Sequence, residues 1–254
     1  MTWRSATCAE HTKGSSSVIR GSEQLSERQT HKQARVLARP RPPVEAGSPG
    51  LQSLGLGRDR DGLLYVPASY RVARPAPLVL MLHGTGGNAR HGLAPLLPLA
   101  DEAGFILLAP DSRNQTWDII ELEEYGPDIA FVDQALAYTF SRYAVDPAHI
   151  AIEGFSDGAS YALSVGITNG DLFTHSIAFS PGFMVPGGQA GSPRIFISHG
   201  TRDQVLPVDR TSRRIMSQLR RSGYDVFYHE FDGPHTIPPG SVREAVDWFT
   251  AERG

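Results

Sequence analysis

The sequence predicts an α/β fold with a mostly parallel central sheet and helices on both faces. Short apolar runs alternate with amphipathic stretches along most of the 254-residue chain, and glycine-rich or polar segments come directly after the apolar runs. Continuous apolar strands separated by helices are typical of parallel sheets that are buried on both faces. In such sheets ligands bind beyond the carboxyl ends of the strands. We therefore expect functional residues just after strands.

The predicted strands are short runs rich in Leu, Ile, Val and Phe. Two of them lie within 51–66, around a turn at 58–62, and the others are 78–82, 105–109, 150–153, 176–179, 195–198 and 226–231. Apolar residues spaced by three and four positions predict helices over 93–102, 129–143, 159–166, 211–221 and 242–251. A short loop containing Pro and Gly connects 179 to 195, so we expect no large lid domain there.

The composition restricts the class of protein. No run of about 18 apolar residues is present, which argues against a membrane-spanning helix. The N-terminus also lacks the continuous apolar core of a secretory signal. A single cysteine, Cys8, excludes an internal disulfide and a multi-cysteine metal site, and we predict a cytoplasmic location. The sequence carries no signal for the oligomeric state.

Charge is distributed unevenly between two predicted regions. Residues 1–50 contain eight Lys and Arg and four Glu, a net charge of +4, which leaves −7 for residues 51–254. We interpret 1–50 as a disordered basic extension ending in a Pro/Gly linker, because no helix or strand period runs through it. There are two alternatives for this segment. It could be an arm that binds nucleic acid or a membrane, or it could result from an over-extended translation start. The acidic region 51–254 is the predicted catalytic domain, and its charge argues against nucleic-acid binding.

A serine lies between two glycines at the point where a strand ends. The sequence Gly154-Phe155-Ser156-Asp157-Gly158 matches the G-x-S-x-G pattern of a nucleophile elbow, with a predicted strand before it and a predicted helix after it. A sharp strand-to-helix turn holds such a serine in sparsely populated backbone angles, and the glycines leave room for neighbouring backbone. An ordinary tight turn is the alternative. The pattern predicts that Ser156 is a nucleophile.

A serine nucleophile needs a base and an acid that orients the base. Of nine histidines, His235 is the one that follows the last strand and precedes the last helix. Asp203 follows the strand 195–198, again at the carboxyl edge. Its rivals are Asp232, which is too near His235 along the chain, and Asp209, which we expect to be the N-cap of helix 211–221. The predicted triad is Ser156, Asp203 and His235, in the chain order of α/β-hydrolases.

The oxyanion formed during attack needs backbone N–H donors. We predict one from Asp157, directly after the nucleophile. The second is predicted from Thr85, in the segment "HGTGGN" (83–88) that follows the strand 78–82. A phosphate-binding loop is an alternative for these glycines, but the lysine of that motif is missing.

Four segments together resemble a known family: "PLVLMLHGTGGNA", "VDPAHIAIEGFSDGAS", "ISHGTRDQVLPV" and "GPHTIPP". They resemble the phospholipase/carboxylesterase branch of the α/β-hydrolases and the polyhydroxybutyrate-depolymerase and feruloyl-esterase-like esterases, from about Leu51 to the C-terminus. The resemblance implies a serine esterase that uses neither a metal nor an organic cofactor, with the triad and oxyanion donors named above. Where many of these esterases have Gln or Met and then Gly, this chain has Asp157 and Ala159. We expect the carboxylate to disfavour anionic substrates.

The substrate is predicted only by class. We expect a small-molecule carboxylic ester with a short or medium acyl group or an aryl group. Trp117 follows the strand 105–109 and is a candidate to line the cleft, with a partly buried loop tryptophan as the alternative. Phe183 is a candidate for the rim. A peptidase or amidase of the same fold, and a non-catalytic binding protein, are the alternative functions.

Overall fold

Eight strands form one sheet in this computed structural model, which describes residue 26 and residues 29–251. The strands are β1 (Gly50–Ser53), β2 (Gly62–Val66), β3 (Ala76–Leu82), β4 (Ile106–Pro110), β5 (Val145–Phe155), β6 (His175–Phe179), β7 (Arg194–Gly200) and β8 (Val226–Phe231). Their order is β1-β2-β4-β3-β5-β6-β7-β8. At one edge β1 pairs antiparallel with β2, and β2 pairs antiparallel with β4. The other six strands, β4, β3, β5, β6, β7 and β8, are parallel to one another. The predicted mostly parallel sheet is confirmed.

Seven α-helices whose bounds lie in the described part of the chain connect or flank these strands, and residues 29–32 are helical as well. The seven are α1 (Ala89–Leu93), α2 (Ala100–Ala103), α3 (Asp118–Glu121), α4 (Pro127–Arg142), α5 (Asp157–Thr168), α6 (Ser212–Arg221) and α7 (Pro239–Thr250). Within the described range none of them is both long and apolar enough to cross a bilayer. The connection between β6 and β7 contains no helix and no paired strand of the main sheet, so no lid domain is inserted there.

Apolar side chains cover both faces of the sheet. On one face Leu78, Leu80 and Ile152 pack in a cluster with residues of α4 and α5. On the other face alternate strand residues such as Val79 and Met81 pack with residues of α1 and α7. Each fully buried aliphatic side chain contributes about 1.5–3 kcal/mol of stability relative to an exposed one. This two-sided burial explains why the strands appear as continuous apolar runs in the sequence.

The predicted helix over 93–102 is wrong as a single element. α1 ends at Leu93, a 3₁₀ turn follows at Leu97–Leu99, and α2 begins at Ala100. Pro95 and Pro98 lie in this stretch. Because proline has no N–H and clashes with the preceding turn, a continuous α-helix cannot pass through both positions.

Residues 29–49 are packed on the domain, whereas we expected 1–50 to be a disordered extension that ends in a Pro/Gly linker. Val36 is buried, and its N–H donates to Asn169 Oδ1 at 2.9 Å. The N–H groups of Leu37 and Ala38 both donate to Asp133 Oδ1, at 2.8 and 2.7 Å. This segment therefore packs on α4 and on the end of α5, and the packed part of the chain begins before residue 51. The rest of the predicted extension lies outside the described residues.

Candidate active site

The turn between β5 and α5 holds Ser156 in an unusual backbone conformation. Its φ and ψ are 56° and −116°, so this is a non-glycine residue at positive φ. Its N–H donates to the carbonyl of Phe179 at the end of β6, at 2.9 Å. A Cβ at Gly154 would lie 2.2 Å from the backbone of Gly158, and a Cβ at Gly158 would lie 2.2 Å from the carbonyl oxygen of Leu82. The two glycines are thus required by close backbone packing, which fixes the strained serine at the carboxyl edge of the sheet.

The three predicted triad residues meet at this edge. His235 lies between β8 and α7, and Asp203 lies in the loop after β7. His235 Nε2 is 2.9 Å from Ser156 Oγ, and His235 Nδ1 is 2.6 Å from Asp203 Oδ2. The Asp203 side chain is fully buried, whereas that of His235 is 14% exposed. A hydroxyl, an imidazole and a carboxylate from three distant segments therefore form one hydrogen-bonded chain.

Asp203 is surrounded by donors. Its Oδ1 accepts the N–H groups of Val205 and Leu206 at 2.9 and 2.8 Å. Burial acts to raise the pKa of Asp203, but the N–H of Leu206 and the ring of His235 outweigh it and lower the pKa below its ordinary value. Since the resulting carboxylate only accepts, the proton of neutral His235 is assigned to Nδ1. Nε2 then carries the lone pair that faces the Ser156 hydroxyl.

The ring of His235 packs on Phe155, with ring centroids 4.7 Å apart. Phe155 is half-buried and contacts the cluster that lies under α1 and α7. This contact supports the imidazole from the side of the elbow.

Thr85 and Asp157, the two residues predicted to supply oxyanion donors, are in contact through their side chains. Asp157 is the first residue of α5, so its N–H belongs to the free N–H groups at the start of that helix. Among the hydrogen bonds of residues 29–251, none uses the N–H of Thr85 or of Asp157. The Thr85 hydroxyl donates to Asp157 Oδ2, and the Thr116 hydroxyl donates to the same oxygen at 2.7 Å. The carboxylate of Asp157 therefore joins the loops that follow β3 and β4. No pattern in the sequence predicts this contact.

His83, which begins the glycine-rich segment 83–88, is structural. It is buried, its Nδ1 donates to the Gly84 carbonyl at 2.8 Å, and its Nε2 accepts the N–H of Ser112 at 3.0 Å. Burial lowers the pKa of His83. Both ring nitrogens are thus used to hold the loops beside Thr85, and His83 is not available as a base.

Trp117 does not line the cleft. Its side chain is fully buried, its Nε1–H donates to the His83 carbonyl at 2.9 Å, and its ring stacks on Tyr161 with centroids 5.0 Å apart. The prediction of a substrate-contacting tryptophan is wrong because the single polar atom of the indole is satisfied by backbone inside the core. Phe183 is half-buried, and its N–H lies 3.4 Å from the hydroxyl of Ser160, one helical turn after Ser156.

The predicted N-cap role of Asp209 is also wrong. α6 begins at Ser212 with Thr211 at the cap position, and no side chain caps the helix. Asp209 Oδ1 instead accepts from Arg213 at 2.5 Å on the surface. Asp209 is therefore no rival to Asp203.

Within the described range no cluster of three or more His, Cys, Asp or Glu side chains could hold a metal ion.

The chain is similar to esterases. No protein-family model matches it. It is 28% identical over 160 residues to the probable feruloyl esterase C of Aspergillus oryzae, which covers 59% of this chain and 57% of the relative. It is 31% identical over 146 residues to the acetylxylan esterase of Coprinopsis cinerea, which covers 53% of this chain and 38% of the relative. The chain thus spans about half the length of the curated relatives it matches.

A solved structure extends the similarity to the fold. The crystal structure of esterase PE8 superposes with a TM-score of 0.61 at 24% identity, covering 75% of this chain and 98% of that protein. Together with the sheet order and the elbow between β5 and α5, this shows that the chain has the α/β-hydrolase fold. The resemblance to esterases of that superfamily, predicted from four sequence segments, is confirmed.

Proposed function

We propose that the chain is a serine hydrolase that cleaves carboxylic esters through an acyl-enzyme intermediate. One observation carries the proposal: Ser156 Oγ, His235 and Asp203 form a continuous hydrogen-bonded chain, with distances of 2.9 and 2.6 Å. The similarity to proteins named esterases supports the same class of reaction.

In the first half-reaction His235 Nε2 accepts the Ser156 proton while Oγ attacks the ester carbonyl carbon. The imidazolium that forms is stabilised by the Asp203 carboxylate, which remains ionised. His235 then gives the proton to the departing alcohol oxygen, so that the C–O bond breaks and an acyl-serine remains. The low pKa of Asp203, set by the donors around it, suits this role.

The negative oxygen of the tetrahedral intermediate is assigned to the N–H groups of Thr85 and Asp157. A preorganised donor of this kind lowers the barrier by about 3 kcal/mol. In the second half-reaction a water molecule takes the place of the alcohol. His235 accepts a proton from this water while the water oxygen attacks the acyl carbon. His235 then returns the proton to Ser156 Oγ as the bond between Oγ and the acyl carbon breaks. The products are an alcohol and a carboxylic acid.

For the substrate we propose esters with a short or medium acyl group or an aryl acyl group. The similar proteins are a probable feruloyl esterase and an acetylxylan esterase, which supports an aryl and a short acyl group. Phe183 is proposed as a contact for the acyl group, because its backbone lies against the turn of α5 that follows Ser156. Faster cleavage of long-chain triacylglycerol than of p-nitrophenyl acetate or butyrate would contradict this preference. A cytoplasmic location stays a prediction.

The test is a panel of p-nitrophenyl esters and matched anilides, assayed with wild type, Ser156→Ala and Ser69→Ala. Ser69 is an exposed serine and serves as the matched control. We expect ester turnover in wild type and in Ser69→Ala, and a loss of kcat by several orders of magnitude in Ser156→Ala. Undiminished turnover in a folded Ser156→Ala protein would refute the assignment. Anilide cleavage exceeding ester cleavage would indicate an amidase, and complete inactivity of wild type would indicate a binding protein.

A further inference from the structure

The buried ring of His199 contacts the carboxylate of the triad. His199 lies near the end of β7, and its side chain has no solvent exposure. Its Nε2 is 3.1 Å from Asp203 Oδ2, the same oxygen that accepts from His235. Two imidazoles therefore converge on one carboxylate oxygen, while the other oxygen is held by backbone N–H groups.

The partners of His199 define its tautomer. Nε2 is also 2.8 Å from the carbonyl oxygen of Leu206, which can only accept, so the ring proton lies on Nε2. Nδ1 is 2.5 Å from the hydroxyl of Ser212, which donates to it. Burial lowers the pKa of His199, against the opposing effect of the Leu206 carbonyl. The ring is thus a neutral, fixed donor that is shared between a carbonyl and Asp203.

The charged groups around His199 do not replace this donor. Asp203 lies on the loop after β7, and His235 approaches from the loop after β8. On β8, Glu230 is the register partner of His199, but its carboxylate accepts from Arg213 of α6 at 2.7 Å with both oxygens. Arg213 is therefore engaged by Glu230. Among these groups, His199 and His235 are the ones within hydrogen-bonding distance of Asp203 Oδ2.

We propose that His199 is a positioning residue for the triad: its Nε2–H fixes Asp203 Oδ2 and withdraws part of the negative charge that His235 meets. This inference rests on the proposed function. A carboxylate with one donor removed is a stronger acceptor, and it stabilises the imidazolium form of His235 more. It also loses one of the contacts that hold its orientation, although the N–H groups of Val205 and Leu206 remain on Oδ1. Both effects act on the step in which His235 accepts the Ser156 proton.

The test uses His199→Leu, which removes the donor, and His199→Gln, whose side-chain amide keeps an N–H at a similar reach. The readout is the rate at which a fluorophosphonate labels Ser156, measured from pH 5 to 9. In His199→Leu we expect the pH of half-maximal labelling to rise by about one unit, since Asp203 loses one donor and interacts more strongly with the imidazolium form of His235. We also expect the maximal rate to fall about tenfold. His199→Gln should stay within about threefold of wild type at every pH.

A spectroscopic readout separates this proposal from the proposed function. The low-field proton NMR signal of His235 Nδ1–H should move further downfield in His199→Leu, because Asp203 becomes the stronger acceptor. Ser212→Ala, which removes one hydroxyl from Nδ1 of His199, should shift both readouts in the same direction by a smaller amount. It serves as the second variant if His199→Leu does not fold.

The control is His229→Gln, on the neighbouring strand, whose side chain is 39% exposed and 3.4 Å from Glu244. It should leave both readouts unchanged. A folded His199→Leu or Ser212→Ala protein with the wild-type pH profile and NMR signal would overturn the positioning role. Wild type that shows the His235 signal but is never labelled at Ser156 would overturn the proposed function instead.

Discussion

Two acidic sites lie at the same edge of the sheet, and burial acts to raise the pKa in both, but the net shifts have opposite signs. In the loop after β7, Asp203 is alone among donors, and its pKa is lowered despite burial. In the segment after β4, Asp118 and Asp128 are buried together, and burial and the charge of Asp118 raise the pKa of Asp128 to about 7. The difference shows that neighbouring donors and neighbouring acids, rather than burial alone, decide whether a buried carboxyl is charged.

Asp118 and Asp128, which we call the acid pair, each accept the backbone N–H of the other residue. Asp128 Oδ1 accepts the N–H of Arg113 at 2.5 Å and its Oδ2 accepts the N–H of Asp118 at 2.6 Å. Asp118 in turn accepts the N–H of Asp128 at 3.0 Å and the hydroxyl of Tyr161 at 3.0 Å. The pair ties the start of α4 to the short helix α3 beneath Trp117. It therefore has a structural role, whereas the carboxylate of Asp203 is available to a base.

The largest effect is expected from Asp203→Asn. An amide presents an N–H where His235 needs an acceptor, so the ring is held in the wrong tautomer, and we expect kcat to fall by about 10³–10⁴ with the fold intact. Ester turnover and the circular dichroism spectrum check this together. Asp209→Asn, on the surface near the start of α6, is the matched control and should lose less than about twofold. An Asp203→Asn protein that kept a tenth of the wild-type rate would contradict the contrast between the two sites.

The pH dependence of stability should come from the acid pair. Because the folded pKa of Asp128, about 7, lies above its ordinary value of 3.8, the folded state binds the proton more tightly than the unfolded chain. Stability is therefore lost as pH rises from about 4 through 7, by about 4 kcal/mol in total. Asp128→Asn removes this titration.

Urea unfolding of wild type and Asp128→Asn at pH 4.5 and pH 8 measures that difference directly. We expect the variant to gain stability relative to wild type as pH rises. If the difference between the two proteins were the same at both pH values, Asp128 would not titrate as described.

A smaller change is expected from Asp118→Ala. The variant leaves the Tyr161 hydroxyl and the N–H groups of Gly126 and Asp128 without their acceptor. We expect a loss of about 2–3 kcal/mol in unfolding free energy at pH 7, since the unsatisfied donors are partly offset by relief of the repulsion with Asp128. Asp232→Ala, at an 80% exposed carboxylate, is the control and should change stability by less than about 0.5 kcal/mol. Equal effects of the two substitutions would be incompatible with a structural role for the pair.

The smallest effect is expected where a carboxylate loses one of two hydroxyl donors. Thr116→Val removes one donor from Asp157 and leaves the bond from Thr85 in place. Because the bond from Thr85 remains, we expect the loss of one hydroxyl donor to cost about 1 kcal/mol, so that kcat/KM falls about three- to fivefold. Thr201→Val, at an exposed threonine, should leave kcat/KM unchanged. A hundredfold loss in Thr116→Val would show that Asp157 depends on Thr116 far more than these contacts indicate.

The sequence predicts the strands and helices that have a clear apolar pattern, and it predicts the residues that directly follow the strands. Ser156, Asp203 and His235 could be found because each comes directly after an apolar strand, and the topology brings the carboxyl ends of parallel strands together. The break in the helix at 93–102 could have been predicted as well, since Pro95 and Pro98 are visible in the sequence.

Other contacts have no local pattern. Trp117 could point into the core or into the cleft, and the burial of its ring against Tyr161 depends on α5, 44 residues further along the chain. The packing of residues 29–49 relies on backbone N–H groups that donate to Asp133 and Asn169. For the contact of His199 with Asp203, the only hint in the sequence is that the two residues are four positions apart. Such contacts depend on side-chain direction, which the sequence period does not determine.

The most direct measurement is peptide mapping by mass spectrometry after incubation of wild type with a fluorophosphonate. A nucleophilic serine activated by His235 predicts one covalent adduct, on Ser156, that forms rapidly at pH 8 and is lost when His235 is replaced by Ala. Absence of an adduct on Ser156 in folded wild-type protein, or equal labelling without the imidazole, would contradict the account.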